Sequence, residues 1–302
     1  MQQRVRVTVL MTVHDRRDTT LACLRALGAQ AHVDDVDVSV VLVDDGSSDG
    51  TADAVRAAFP AVRILQGDGE LFWNGGMRAA WAAAWDGDPD FYLWLNDDTL
   101  LDPGALRLLI DTHAAVVTAT TPAIVAGAIT DPDSGAVNYS GVRQDPVRRL
   151  RFDPVVPDGR PIEADTMNGN AVLVPRAVAR RVGTLSRRYT HGMGDYDYGL
   201  RARRVGCAVW VAPRPLGRCS TNPGFTTTGE GRADLRRLRG VKHLPPEEWR
   251  AFARRWAGPA WPAYWLSPYL RRGLWVLADA LSGGRRQRVE ARSAHAGRRR
   301  RG

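Results

Sequence analysis

Two neighbouring carboxylates close the most suggestive cluster in this 302-residue chain. Asn96-Asp97-Asp98 follows the apolar run Phe91-Tyr92-Leu93-Trp94-Leu95. Adjacent carboxylates at a strand end repel one another unless a cation is present. Mg²⁺ or Mn²⁺, held by one or two carboxylates together with phosphate oxygens, removes that repulsion. Such an ion also neutralises charge developing on a diphosphate leaving group. The plainer alternative is a capped turn ahead of Pro103, with Asp102 near a helix start.

A second cluster, Asp44-Asp45-Gly46-Ser47-Ser48-Asp49-Gly50-Thr51, also follows an apolar run. Asp44 and Asp45 suit hydrogen bonds from a nucleobase or ribose. Turn chemistry and a helix N-cap account better for Ser47, Ser48 and Asp49. Thr12-Val13-His14-Asp15-Arg16 forms a third cluster. Ligands of open parallel sheets bind beyond the carboxyl ends of the strands. Three polar clusters at three strand ends therefore say more together than any one alone.

The elements that must position these clusters alternate over the first 130 residues. Val5 to Thr12, Val36 to Val43, Val62 to Leu65 and Phe91 to Leu95 read as strands. Thr19 to Leu27, Thr51 to Ala58 and the Ala-rich Gly76 to Trp85 read as helices, and Pro103 opens another. This order predicts an α/β fold with a mostly parallel central sheet and helices on both faces. From Ile124 to Phe152 short strands and turns such as Asp131-Pro132-Asp133-Ser134-Gly135 take over. Ala171 to Val174 and Ala208 to Val211 read as strands, and Pro175 to Val182 and Asp197 to Val205 as helices. Three regions are expected: a main domain over 1–220, a helical aromatic-rich segment over 221–284, and a disordered basic tail over 285–302.

Charge narrows the choice of partners. The formal charge is +9, but residues 285–302 hold eight Arg and one Glu, so the body is close to neutral. A basic tail on a near-neutral body is not a nucleic-acid-binding face. Cys23, Cys207 and Cys219 are odd in number and widely spaced, which excludes a disulfide framework and fits a reducing compartment. No signal peptide is expected ahead of the first strand. No apolar stretch reaches the roughly 18 residues that span a bilayer. These features predict a cytoplasmic protein.

Thr12-Val13-His14-Asp15-Arg16, Val43-Asp44-Asp45-Gly46-Ser47-Ser48-Asp49-Gly50-Thr51, Leu95-Asn96-Asp97-Asp98 and Gly194-Asp195-Tyr196-Asp197-Tyr198-Gly199-Leu200-Arg201 stand in that order. With these motifs the chain resembles the family 2 glycosyltransferases, of GT-A fold, over about residues 5 to 220. Within the family it is most similar to rhamnosyl- and galactofuranosyl-type polymer enzymes.

The resemblance implies an inverting, divalent-metal-dependent transfer from a UDP- or dTDP-sugar, with dTDP-rhamnose one candidate. The acceptor would be a cell-envelope saccharide or a lipid-linked one. Thr12, Asp44 and Asp45 match residues that hold the nucleoside. Asp97 and Asp98 match the family's metal-site carboxylates, Asp97 on the nucleotide side and Asp98 for direct contact with Mg²⁺ or Mn²⁺. Asp195 matches the catalytic base, and Asp197 and Arg201 continue its motif.

The residues themselves leave two readings for Asp195 and Asp197. Two positions apart, they do not share a helix face. One can face the site and accept a hydroxyl proton while the other caps the helix or pairs with Arg201. Alternatively both merely cap. The family usually has Glu or Asp where this chain has Gly194. Its late metal-binding histidine falls nearest Cys219, a poor ligand for a hard cation. The resemblance lays Gly75, Gly76 and Arg78 over the donor nucleotide. There the glycines permit close backbone approach and Arg78 meets a phosphate or a carboxylate; a helix N-terminus with a buried aromatic pair, Phe72 and Trp73, is the plainer reading. It brings Asn168-Gly169-Asn170 towards the sugar, where a plain turn is the alternative. His191 reads as a loop or acceptor-side residue and not as a metal ligand, and His14 as structural or near the base of the nucleotide.

Trp249, Trp256, Trp261, Tyr264, Trp265, Tyr269 and Trp275, flanked by Arg271, Arg272 and the basic tail, suit the inner face of the plasma membrane. Packing on the main domain or in a homo-oligomer stays open. A sugar-phosphate nucleotidyltransferase would carry a Gly-rich basic run after strand one, where this chain has Thr12 to Arg16. A non-catalytic membrane-associated scaffold would not need Asp97, Asp98 and Asp195. No Gly-x-Gly-x-x-Gly follows the first strand, which disfavours a Rossmann dehydrogenase.

Overall fold

The structure, a computed structural model, describes residues 4–221 and 231–278. The chain divides into two compact units, Met1–Asn222 and Pro223–Gly302.

In the first unit β1 (Val5–Val13), β2 (Val36–Asp44), β3 (Arg63–Gln66) and β4 (Phe91–Leu95) alternate with α1 (Arg17–Gly28), α2 (Thr51–Ala58) and α3 (Phe72–Ala84). Then follow β5 (Leu100–Leu101), α4 (Ala105–Val116), β6 (Ala123–Thr130), β7 (Val137–Tyr139), β8 (Gly141–Gln144) and β9 (Phe152–Pro154). The unit closes with β10 (Ile162–Ala164), β11 (Thr166–Met167), β12 (Ala171–Pro175), α5 (Arg176–Val182), α6 (Gly194–Arg204) and β13 (Ala208–Arg218).

The main sheet runs β10-β13-β6-β12-β4-β1-β2-β3. Its β1, β2, β3 and β4 are parallel, as are β6 and β13. Between these halves β12 runs antiparallel to both β4 and β6. That insertion brings the turn before β12 beside the end of β4. A smaller sheet is ordered β11-β8-β9.

Helices cover both faces, so the inner strands are apolar without alternation; every residue of β4 and of β12 is buried. On one face Val7, Val9 and Met11 of β1 meet Leu24 of α1 and Leu106 and Leu109 of α4. On the other, Leu10 meets Met77 and Trp81 of α3 and Tyr198 of α6. Trp81, Trp94 and Tyr198 pack together at ring-centroid separations of 5.1–5.5 Å.

Three boundaries differ from the sequence reading. Helix α3 begins at Phe72 and α6 at Gly194, earlier than their apolar periodicity suggested: the Asn74-Gly75-Gly76 run masks the first turn of α3, and the polar Gly194-Asp195-Tyr196-Asp197 turn masks that of α6. Helix α4 begins at Ala105, since Gly104 ahead of it takes φ 82° and Pro103 stands outside the helix.

The second unit contains α7 (Gly231–Leu238), α8 (Pro246–Trp256) and a helix over 261–278, here α9. The aromatic residues flagged by sequence hold this unit together. Trp249 Nε1 donates to the Tyr264 carbonyl (3.2 Å), Trp265 Nε1 to the Pro246 carbonyl (3.1 Å) and Tyr269 Oη to the Leu244 carbonyl (2.8 Å). Among the described residues no helix is long and apolar enough to cross a membrane. The expected disordered tail over 285–302 lies outside the described residues.

Candidate active site

The loops after β1 and β2 are tied to each other. Asp15 Oδ1 accepts the Ser48 N–H (2.7 Å) and the Asp49 N–H (3.3 Å), while the Asp15 N–H donates to Ser47 Oγ (2.9 Å). Asp49 accepts the Arg17 N–H at the start of α1 and the Thr51 N–H at the start of α2, each at 3.0 Å. These donors hold both carboxyls below their usual range: the Ser48 N–H leads for Asp15, the Thr51 hydroxyl for Asp49. Ser47, Ser48 and Asp49 thus do the work of a turn and a cap.

Asp44 and Asp45 are buried. Asp44 Oδ1 accepts the Ser47 N–H (3.0 Å). Asp45 is more heavily engaged: Oδ1 accepts from the N–H groups of Gly69 (2.9 Å) and Leu71 (3.2 Å), and Oδ2 from that of Phe72 (2.8 Å). It fastens the loop before α3, where Phe72 adopts φ 53°. A carboxylate at a helix N-terminus satisfies otherwise orphaned donors. His14 Nδ1 lies 2.6 Å from the Asp45 carbonyl, so it supports the same loop.

Helix α3 lies so close to β1 that a Cβ on Gly76 would overlap Thr12 Oγ1, and one on Gly75 would press the Leu71 Cβ at 3.3 Å. Both glycines are therefore accounted for by helix packing, and Thr12 is the residue under the helix. Arg78 is partly buried, and its Nε has no hydrogen-bond partner. Burial and the neighbouring charge of Arg187 hold its pKa below the usual arginine value.

At the end of β4, Asp97 is buried and Asp98 nearly so. Arg16 Nη1 lies 2.5 Å from Asp98 Oδ2 and 3.8 Å from Asp97 Oδ1. The other oxygens, Asp97 Oδ2 and Asp98 Oδ1, are buried without a partner. Burial, and then the charge of Asp98, push the Asp97 carboxyl up to about 7 against the pull of Arg16. The Cys219 thiol donates to the Ser220 carbonyl (3.4 Å), and burial first, then the charge of Asp98, pushes it up to about 12. Two unpartnered buried carboxylate oxygens on neighbouring residues fit a small oxygen-seeking divalent cation. Among the described residues no group of three His, Cys, Asp or Glu side chains gathers to hold one, so phosphate or water would complete the coordination.

The third acidic cluster opens α6. Asp195 is partly buried; its Oδ2 accepts the Gly169 N–H (3.0 Å) and its Oδ1 the Tyr196 N–H (2.8 Å). Burial pushes its carboxyl up to about 6, against the pull of those two N–H groups. Asp197 is fully buried and committed elsewhere. Its Oδ2 accepts from Arg201 Nε (2.8 Å), and Oδ1 lies 3.4 Å from the Tyr189 hydroxyl. Arg201 in turn donates to the carbonyls of Val182 (2.9 Å) and Thr184 (2.8 Å). The pair ties α6 to the loop that follows α5.

Gly194 stands where no side chain fits, because a Cβ there would overlap Asn74 Oδ1. Asn74 is buried, and its Nδ2 donates to the carbonyls of Ser186 (2.9 Å) and Tyr189 (2.5 Å). His191 packs edge-on against Phe72, with ring centroids 6.2 Å apart.

The segment before β12 joins the acidic clusters. The Asn96 N–H donates to the Asn170 carbonyl (3.0 Å), and Trp73 Nε1 to Asn96 Oδ1 (2.8 Å). A Cβ on Gly169 would overlap the Trp73 ring, while the Gly169 N–H reaches Asp195. Asn168 Nδ2 lies 3.2 Å from the Tyr196 hydroxyl. Asp97-Asp98 and Asp195 are thereby brought to one end of the sheet. Sequence reasoning assigned no role to Arg16 or Asn74. Arg16 lies within the first quoted motif, so its position was visible; its partner was not.

The family described as Glycosyl transferase family 2 matches residues 8–169. With that match covering more than half of the chain, the protein belongs to this family, and the fold is GT-A. It is 28% identical over 203 residues to the N-acetylglucosaminyl-diphospho-decaprenol L-rhamnosyltransferase of Mycobacterium tuberculosis strain H37Rv, covering 58% of this chain and 63% of that protein. The protein of the same name in strain CDC 1551 matches equally. The chain thus spans less than two thirds of the length of these relatives.

Among solved structures, the mannosyltransferase PcManGT of Pyrobaculum calidifontis, in complex with GDP-Man and Mn²⁺, superposes with a TM-score of 0.54 at 17% identity, over 98% of this chain and 81% of that one. GalNAc-T7, solved with UDP, GalNAc and Mn²⁺, does so with a TM-score of 0.56 at 12% identity, over 73% of this chain and 44% of that one.

Proposed function

We propose that this protein is an inverting glycosyltransferase that moves a sugar from a UDP- or dTDP-linked donor to a saccharide or lipid-linked acceptor of the cell envelope. The names of the mycobacterial relatives make dTDP-rhamnose the first donor to test. The observation that carries the reading is the junction Asp98–Asn96–Trp73–Gly169–Asp195. It joins a partly buried carboxylate of raised pKa to the same end of the sheet as a carboxylate pair with bare oxygens.

In this reading Asp195 takes the proton of the acceptor hydroxyl as that oxygen attacks the anomeric carbon. Each carboxylate oxygen has two acceptor sites, so the bonds from Gly169 and Tyr196 orient Asp195 without saturating it. Near neutral pH a group with a pKa of about 6 is ionised, and basic enough to share a proton in the transition state. Asp97 and Asp98 would hold Mg²⁺ or Mn²⁺, which neutralises charge on the departing diphosphate. Thr12, Asp44 and the loop fastened by Asp45 line the nucleoside side. Gly75 and Gly76 let α3 approach that side closely, and Arg78 offers a guanidinium to phosphate. Asn168, Asp197 and Arg201 support the acceptor side by fixing Tyr196 and α6.

Thermal shift and donor hydrolysis test this reading, using UDP- and dTDP-sugars with and without Mn²⁺. One donor should stabilise wild type only with metal, and Asp98→Ala should lose that shift. Asp195→Ala should keep the shift and lose turnover. Failure of every nucleotide sugar to bind, with or without metal, would overturn the proposal.

A further inference from the structure

Helix α9 is apolar on two opposite faces, and only one of them is covered. Trp261 and Trp265 pack on each other, with ring centroids 6.3 Å apart, and Trp265 is bonded to the Pro246 carbonyl at the start of α8. On the same side Arg272, 9% exposed, lies 3.7 Å from the buried Asp234. The opposite side carries Leu266, Leu270, Leu274 and Leu277, which are 40%, 59%, 67% and 61% exposed. Their spacing of four, four and three residues confines them to an arc of about 80° at 3.6 residues per turn. A helix that is apolar all round needs cover on every side, and a contiguous bare patch of leucine marks an interaction surface.

Charge indicates what covers it. Residues 261–278 contain Arg271 and Arg272 and no acidic residue, and over 261–302 ten Arg stand against Asp279 and Glu290. A contact between two copies through the stripe would join two segments of the same net charge, which disfavours it. An anionic bilayer would accept the leucines together with the exposed Arg271 and the basic sequence that follows.

We propose that Leu266, Leu270, Leu274 and Leu277 of α9 form a membrane-docking stripe. It lies in the headgroup region of an anionic bilayer with the helix parallel to the surface. The Trp and Tyr residues mostly hold the unit together internally; the leucines meet the lipid.

Flotation of the full chain with vesicles tests this. Wild type should float with vesicles rich in phosphatidylglycerol, much less with pure phosphatidylcholine, and less again as salt screens the arginines. The double variant Leu270→Glu, Leu274→Glu should float at least about tenfold less, because it loses two leucine contacts and gains two repelled charges. Both positions are exposed, so melting temperature and donor hydrolysis in vesicle-free buffer should match wild type. Leu266→Gln, Leu277→Gln is the second, uncharged check and should reduce flotation in the same direction. Wild type that floats with neither vesicle overturns the proposal, as do variants that float as well as wild type. A wild-type dimer that the double variant converts to monomer, with no flotation, assigns the stripe to a contact between copies and also overturns it. Docking without any donor turnover would leave this inference standing and defeat the catalytic one.

Discussion

Asp97-Asp98 and Asp195-Tyr196-Asp197 are both acidic pairs at the end of an element, and the protein treats them in opposite ways. In the second pair hydrogen donors surround the carboxylates. Backbone N–H groups orient Asp195, while Arg201 and Tyr189 meet Asp197. That pair divides into a partly exposed carboxylate and a buried structural one. In the first pair two buried oxygens have no donor among the described residues, and Arg16 reaches mainly Asp98. A site whose charge is already met can pass a proton. A site whose charge is not met attracts a cation. Burial raises the pKa of Asp195 and of Asp97 alike, so the difference lies in the donors around them and not in depth.

The hardest test of this contrast is Asp195→Asn. Turnover should fall by about 10³-fold, within the range for loss of a general base, with the metal-dependent donor shift intact. In wild type the same carboxylate must be ionised to act. The rate should therefore rise about tenfold per pH unit up to about 6 and level off above it, and Asp195→Asn should lose that dependence. A flat wild-type profile between pH 5 and 7 would remove Asp195 from the role.

Arg201→Ala probes the structural half of the pair. It removes the cationic partner of the fully buried Asp197 and should cost about 3–5 kcal/mol in urea unfolding. A smaller loss would show that Asp197 is not held by Arg201.

Gly194→Ala should cost about 1–3 kcal/mol by overpacking against Asn74. That cost should shrink in an Asn74→Ala background, where only the Cβ at 3.5 Å remains.

The smallest effect belongs to Arg16→Ala. Arg16 is 42% exposed, so the metal-free protein should lose no more than about 1 kcal/mol. Mn²⁺ should then raise its melting temperature more than that of wild type, because the carboxylates have lost their resident cation.

Much of the scaffold was legible because it is written locally. An apolar run that stops at Asp-Asp-Gly or Asn-Asp-Asp announces a buried strand and the polar turn beyond it. Strands β1 to β4 and the clusters after them follow from such runs. The segment before β12 was visible as Asn168-Gly169-Asn170, but its antiparallel insertion beside β4 was not, since strand direction leaves no mark within five residues. Likewise the aromatic segment was evident, and which of its faces stayed bare was not.

Sequence by itself determined the family, the order of the elements and the acidic residues at their ends, because residue type and short spacing encode these. Only the tertiary structure decided that Arg16 sits on Asp98, 82 positions away, and that Asn74 reaches Tyr189, 115 positions away. The same is true of the bare leucine face of α9. The reason is physical: a carboxylate's task and a glycine's necessity depend on the groups packed around them, and those arrive from distant parts of the chain only when it folds.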